Sequence, residues 1–266
     1  APNAMYPVYG LAEASLAVSF PQVGSLWESV TLDRHKLGVA QTVAQVAEDS
    51  RDGLALTSVG QAISDYEVRL ADDSDNAVAA GQVGHIQIRG PNVTGGYYQD
   101  PELNARSFAA GGWLRTGDLG VLDDDRLFIT GRDKELIILN GQNYYPHDLE
   151  AIAERAPGLE LGKVVAAGCR KRGALGEDLV LFVLHRTELK DFLPVATAAA
   201  RLINEETGLE VAEVVPVKRI PKTTSGKIQR HLLEGAYEQG EFDAELAELS
   251  TLRAALKADG ASVGTD

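Results

Sequence analysis

The sequence predicts an α+β chain whose first half is rich in strands and whose second half mixes helices with strands. Two observations carry this. Apolar residues alternate over residues 64–70 and again over residues 83–89 (VGHIQIR), the period of two that turns one strand face toward a core. From residue 146 onward, helical spacing interleaves with short apolar runs, which reads as a compact α+β unit over residues 135–240.

Taken in order, residues 1–19 open on the apolar MYPV and a turn-like Tyr9-Gly10, without the signs of a natural domain start. Residues 20–60 lack clear strand periodicity and read as a connection, with a short helix expected around residues 39–48. The strands at 64–70 and 83–89 flank a turn rich in Asp, Asn and Gly. GPNVTGG then gives a glycine-rich turn, and a short helix follows that Asp100 can cap and Pro101 can begin. WLRTGDLG, DDDRLFITGR and KELIIL supply short apolar runs broken by turn residues, which are read as strands. Residues 146–156 and 193–206 are predicted helical, and residues 163–167, 178–185 and 211–217 extended. Residues 242–257 carry Leu and Ala at helical spacing, and the closing GASVGTD reads as a frayed end.

Bulk properties bound the function. The 266 residues are 44% hydrophobic, enough for one large or two modest cores. No apolar run approaches the roughly 20 residues that span a bilayer. The N-terminus has no basic region ahead of an apolar stretch, so a cytoplasmic location is expected. With 25 Lys and Arg against 39 Asp and Glu, the net charge of −14 speaks against nucleic acid or an anionic membrane surface as the main partner. Local basic clusters remain at Arg170-Lys171-Arg172 and at Lys218, Arg219 and Lys222. The single Cys169 cannot form an internal disulfide and reads as a small core residue near a strand end; no Cys/His cluster suggests zinc.

The most informative stretch is IPKTTSGKIQR, residues 220–230. It sets Lys227 at the tip of a Pro/Thr/Ser/Gly turn that leads into a helix. Such a tip is polar, exposed and mobile, and displays a compact, flexible point charge suited to a phosphate or carboxylate. Four further motifs precede it: YGLAE at residues 9–13, GHIQIRGPNVTGGYYQDPE, RTGDLG around Asp118, and GRDKELIILNGQNYYPHDLE at residues 131–150.

These five motifs, in this order and spacing, resemble the adenylate-forming superfamily of acyl- and aryl-CoA synthetases, luciferases, nonribosomal peptide adenylation domains and fatty acyl-AMP ligases. The resemblance spans roughly residues 5–235. It implies that Tyr9 stacks beside adenine, with Gly10 in the same nucleotide-binding turn, and that Glu13 helps hold Mg²⁺ at the phosphates of ATP. A hard cation wants oxygen ligands, so a carboxylate is chemically apt there. The strand-turn motif is assigned to packing. Asp118 falls where the family's carboxylate accepts both ribose hydroxyls, and two carboxylate oxygens suit a vicinal diol. Arg132 matches the arginine at the ribose or phosphate end of the nucleotide. Asp133 and Lys134 fall at the interdomain hinge, where residues absorb a large φ/ψ change. Lys227 matches the adenylation lysine.

The resemblance therefore implies three segments. Residues 1–133 correspond to the C-terminal, β-rich end of the large adenylating domain, residues 134–240 to a small mobile α+β lid domain, and residues 241–266 to a C-terminal helix and tail. The implied reaction is attack of a carboxylate on the α-phosphorus of Mg-ATP, giving acyl-AMP and pyrophosphate, with Lys227 bridging the crowded negative charge. Rotation about the hinge then withdraws Lys227 and admits a thiol. Within the family, Gly141-Gln142-Asn143-Tyr144-Tyr145-Pro146, YGLAEASL and the long segment from Glu13 to Gly60 are similar to fatty acyl-AMP ligases. That branch implies a fatty acid substrate and transfer to the phosphopantetheine arm of an acyl carrier protein, with CoA the alternative acceptor. Arg170, Lys171 and Arg172 are candidates for docking such an acidic carrier. The family's phosphate-binding loop and most of its acyl pocket lie upstream of YGLAE, so this chain is expected to be a fragment that does not adenylate efficiently alone. Two further readings stay open: a non-catalytic module that docks a carrier protein, and a nucleotide sensor using Asp118 and Arg132 without chemistry.

Overall fold

The computed structural model describes residues 3–171 and 176–261, with side chains through residue 255. Arg172 and the tail from Ser262, and with them part of the basic cluster and most of the frayed-end expectation, lie outside the described residues. The chain divides into two compact units, Ala1–Lys134 and Glu135–Asp266. No helix among the described residues is long and apolar enough to cross a membrane.

In the first unit, β1 (Ser19–Phe20), β2 (Ser29–Asp33), β3 (Gly53–Thr57), β4 (Gln61–Ala62), β5 (Glu67–Ala71) and β6 (Gly84–Arg89) precede α1 (Pro101–Ser107). β7 (Phe108–Ala109), β8 (Trp113–Asp123) and β9 (Arg126–Arg132) follow it. The main sheet runs β5-β6-β8-β7, with β9 also paired to β8, and every pairing is antiparallel. The alternation predicted for β5 and β6 is what the sheet uses. Leu70, Ile86, Ile88, Leu114 and Leu127 enter one core with Ala14, Val18 and Tyr66. Each such Leu or Ile contributes about 1.5–3 kcal/mol when fully buried. α1 starts as expected: the Asp100 side chain accepts a hydrogen bond from the Leu103 amide and Pro101 opens the helix, where its missing N–H costs nothing.

Residues 20–60 depart from the sequence reading. β2 and β3 form an antiparallel ladder from Ser29 opposite Thr57 to Asp33 opposite Gly53. The helix expected at residues 39–48 is absent. Ala40 has φ +60°, outside the right-handed helical region, and Thr42 and Gln45 bridge to Gln82 and Leu32. The Val43 amide donates to the Gly81 carbonyl and the Val46 amide to the Thr31 carbonyl. Tertiary partners thus satisfy the backbone groups that a helix would have satisfied internally.

The second unit contains β10 (Ile137–Leu139), β11 (Gln142–Tyr144), α2 (Pro146–Ala153), β12 (Val164–Cys169), β13 (Asp178–Leu184), α3 (Leu189–Thr207), β14 (Val211–Val217), α4 (Arg230–Glu238) and α5 (Asp243–Ala261). β10 and β11 form a hairpin. β13 is central in a three-stranded sheet, antiparallel to β12 and parallel to β14, with α3 as the crossover. The side chains of β12 alternate between two apolar layers. Val164 and Ala166 join Leu149, Ile152, Phe192, Ala196, Ile203 and Leu249 from α2, α3 and α5. Val165, Ala167 and Cys169 join Phe182, Leu233 and Tyr237 on the side of α4. Cys169 is a core residue, as read, and burial pushes its thiol pKa up. α3 begins four residues earlier than predicted and holds Pro194 in its interior. Burial of Phe192, Leu193 and Ala196 around the proline offsets the backbone bond it cannot make.

Candidate functional site

In the first unit, three of the sequence-selected residues meet. Asp118 on β8 lies opposite Arg132 at the end of β9 in the ladder register, and Arg132 Nε is 3.1 Å from Asp118 Oδ1. The Tyr9 hydroxyl donates to Asp118 Oδ2 at 2.6 Å. The register shifts just beyond, between Leu119 and Gly120, the kind of irregularity that re-aims a side chain at a sheet edge. Thr116, which the sequence reading passed over, fixes the turn: its Oγ1 accepts from the Asp118 amide at 3.1 Å and donates to the Ile86 carbonyl at 2.9 Å. A hydroxyl two residues before an aspartate in RTGD was the only signal for it.

The electrostatics follow from burial. Asp118 is buried, so its charge requires partners, and Arg132 and Tyr9 supply a cation and a donor. Burial, and next the Asp118 carboxylate, hold the Tyr9 phenol far above its ordinary pKa, so Tyr9 remains a protonated donor at neutral pH. A carboxylate offers about four lone-pair sites. Tyr9 and Arg132 occupy two of them, which leaves capacity for the two hydroxyls of a vicinal diol. The residues present therefore fit a ribose.

Tyr9 is held by its backbone. Its amide donates to the Ser19 carbonyl at 3.2 Å, and its carbonyl accepts from the Val18 and Ser19 amides. Gly10 has a steric reason to be glycine, because a Cβ there would lie 1.4 Å from the Leu16 carbonyl oxygen. Glu13 sits in a 3-10 turn, Ala12–Ala14, in a corner of its own. Its carbonyl accepts from the Thr94 amide at 2.7 Å and its Oε1 accepts from the Tyr97 hydroxyl at 2.8 Å. The strand-turn motif, assigned to packing, thus also orients Glu13. Among the described residues no group of three or more His, Cys, Asp or Glu could by itself hold a metal ion. Mg²⁺ bound through substrate phosphates needs only one or two protein carboxylates, and Glu13 offers one. Asp133 and Lys134 are exposed in a 3-10 turn, Asp133–Glu135, where the first unit gives way to the second.

In the second unit, Lys227 is exposed at the tip of a closed turn. Lys222 and Ile228 form an antiparallel bridge beneath it, and the Thr223 amide donates to the Lys227 carbonyl at 2.8 Å. Thr223 Oγ1 accepts from the Lys227 amide at 3.0 Å, and Gly226, with φ +86°, allows the reversal. The backbone of the tip is therefore ordered while the lysine side chain projects. Of the proposed docking cluster, Arg170 lies 3.7 Å from Glu177 and Lys171 lies 3.4 Å from Glu213. Each already faces a carboxylate, which reduces the positive charge that this face offers to an acidic partner.

Residues 1–98 match the family model described as AMP-binding enzyme. A 4-hydroxyphenylalkanoate adenylyltransferase of Mycobacterium marinum is 37% identical over 261 residues, covering 90% of this chain and 41% of that protein. The long-chain-fatty-acid–AMP ligase FadD26 of Mycobacterium tuberculosis is 34% identical over 269 residues, covering 91% of this chain and 44% of that protein. A solved structure from studies of fatty acyl-adenylate ligases of E. coli and L. pneumophila superposes with a TM-score of 0.80 at 32% identity, covering 92% of this chain and 44% of its own. The chain thus spans less than half the length of the curated relatives it matches.

Proposed function

We propose, from the match of residues 1–98 to the family model described as AMP-binding enzyme, that this chain belongs to a ligase that joins a fatty acid to AMP and then passes the acyl group to a carrier-protein thiol. The observation that carries the reading is the Asp118 carboxylate, buried and held between the Tyr9 hydroxyl and Arg132 with two acceptor positions to spare. In the reaction the fatty carboxylate attacks the α-phosphorus of ATP, the bond to the β-phosphate oxygen breaks, and acyl-AMP and pyrophosphate form. Asp118 binds the ribose hydroxyls and fixes the nucleoside. Tyr9 keeps Asp118 oriented and lays its ring along the adenine, and Arg132 balances the buried charge next to the ribose or phosphates. Glu13, steadied by Tyr97, would hold Mg²⁺, which when bound neutralises phosphate charge. The Lys227 ammonium bridges the attacking carboxylate and the α-phosphate, where it counts most as charge accumulates. Asp133 and Lys134 act as the hinge about which the second unit withdraws Lys227 before thiol attack.

Acceptor choice rests on GQNYYP and on the long segment between Glu13 and Gly60, where β2 and β3 form a ladder. Likeness to a fatty-acid–AMP ligase and to fatty acyl-adenylate ligases supports the same branch. The test is fatty-acid-dependent ATP–pyrophosphate exchange by the complete protein and its Lys227→Ala variant, with holo-carrier protein and CoA then offered as acceptors. Exchange abolished by Lys227→Ala, with thioester formation from supplied acyl-AMP preserved and only the carrier protein acylated, is the expected result. Acylation of CoA at a comparable rate would reassign the acceptor, and exchange that survives Lys227→Ala would remove the lysine's role.

A further inference from the structure

Three residues beyond Lys227, the first residue of α4 is tied into the body of the second unit. The Arg230 guanidinium is 11% exposed and forms a fork on Glu150 of α2: Nη1 pairs with Oε1, and Nη2 lies 3.2 Å from Oε2. Its Nε lies 3.1 Å from Glu135 Oε2. Glu150 is fastened in turn, its Oε1 accepting from the Ala166 amide of β12 at 2.9 Å, while Arg230 Nη1 reaches the Ala166 carbonyl at 3.4 Å. The base of the lysine turn is closed by the Gln229 amide donating to the Pro221 carbonyl at 3.0 Å, with Ile220 buried on the other limb. One limb of the turn is thus set by an apolar anchor and the other by a buried bidentate ion pair.

We infer that Arg230 is the positioning residue for Lys227. Resting on the adenylation reading of that lysine, the inference is that the Arg230–Glu150–Glu135 network fixes where the tip presents the ammonium. Positioning is where this chemistry is most sensitive, since an error of 1 Å at a reacting group can cost about a hundredfold in rate. A planar fork that meets a carboxylate with two parallel bonds fixes direction as well as distance, which a lysine cannot do. Burial raises the Glu150 pKa and Arg230 opposes that rise, so the pair is costly to bury and is not a cheap source of stability. That cost fits a pair kept for geometry. Glu135 adds a further consequence. It is the first residue of the second unit, next to Asp133 and Lys134, so the lysine turn and the start of the unit share one cation.

The experiment uses the complete protein with Arg230→Lys and Glu135→Gln, and with Lys227→Ala in parallel. Glu135 is partly exposed, so its variant folds even where a change at the buried arginine does not. Each variant is assayed for ATP–pyrophosphate exchange, for thioester formation from supplied acyl-AMP, and for Tm. The expected result is about a 10- to 100-fold fall in exchange kcat for Arg230→Lys and a smaller fall, about 3- to 10-fold, for Glu135→Gln. The KM for ATP and the thioester step should stay within about twofold, because neither depends on the lysine's placement. Equal loss in both half-reactions, or exchange unchanged in Glu135→Gln and Arg230→Lys, would overturn the positioning role. Exchange that persists in Lys227→Ala identifies the failure as that of the adenylation reading itself, and leaves Arg230 nothing to position.

Discussion

The Tyr9 hydroxyl donates to Asp118 at 2.6 Å across 109 residues of sequence, and the bond joins the first motif of the chain to its third. On the proposed reading, a phenol and a buried carboxylate so paired are where the nucleoside would lie. Asp118→Asn keeps the shape and removes the charge. A hydrogen bond to a charged group is worth about 1.5–3 kcal/mol. The KM for ATP of the complete protein should therefore rise about tenfold to a hundredfold. The specific check is 2′-deoxy-ATP: the wild type should discriminate against it, and Asp118→Asn should discriminate far less.

Gly10→Ala forces a Cβ into the space of the Leu16 carbonyl oxygen, backbone against backbone. Overpacking of this kind costs about 1–3 kcal/mol, occasionally more. The urea midpoint of the chain should fall accordingly. A variant as stable as the wild type would mean that the 10–16 turn relaxes freely.

Asp100→Ala removes the side chain that accepts from the Leu103 amide at the start of α1. The expected loss is about 1 kcal/mol, and Asp100→Asn should recover most of it. Urea unfolding at pH 7 checks both.

Tyr237 carries a buried hydroxyl without a hydrogen-bond partner among the described residues, and its ring meets Phe182 edge-on. Tyr237→Phe keeps the ring contact and deletes the orphan group, so stability at pH 8 should rise by about 1 kcal/mol. Burial first, and the Glu213 carboxylate next, push the Tyr237 pKa up to about 12. The unfolded chain ionises near 10, so the native state retains the proton longer. Stability from this group is complete below pH 10 and is lost as pH climbs from 10 toward 12. The slope of the urea midpoint against pH in that window should flatten in Tyr237→Phe.

What the sequence made legible was what depends on local pattern. The strands at Glu67–Ala71 and Gly84–Arg89 alternate because Leu70, Ile86 and Ile88 turn toward one apolar core, and the Asp100-Pro101 start is a local hydrogen bond. The α+β second unit followed from the change of period. Tyr9, Asp118 and Arg132 were selected singly by motif, and their meeting required a ladder register that no local pattern specifies. Residues 39–48 misled because Ala, Gln and Glu favour a helix, whereas the amides of Val43 and Val46 are satisfied by Gly81 and Thr31. Arg230 escaped notice for a similar reason. It reads as one more charged residue at a helix start, and its carboxylate partners lie 80 and 95 residues earlier.

The two-residue turn between β8 and β9 consists of Asp124 and Asp125, both with positive φ, 48° and 62°. That is the twist-matched geometry of a tight hairpin, and together with the register shift between Leu119 and Gly120 it fixes how many residues separate Asp118 from Arg132 along the two strands. The hairpin is a length standard. Each strand position alternates faces, so one residue added at its far end would turn Arg132 to the opposite side of the sheet from Asp118. The same addition in the loop between β5 and β6 would leave their pairing untouched. Tolerance to insertion along this chain is therefore set by how residues are counted from the carboxylate, and a surface turn of two aspartates is among the least forgiving places in it.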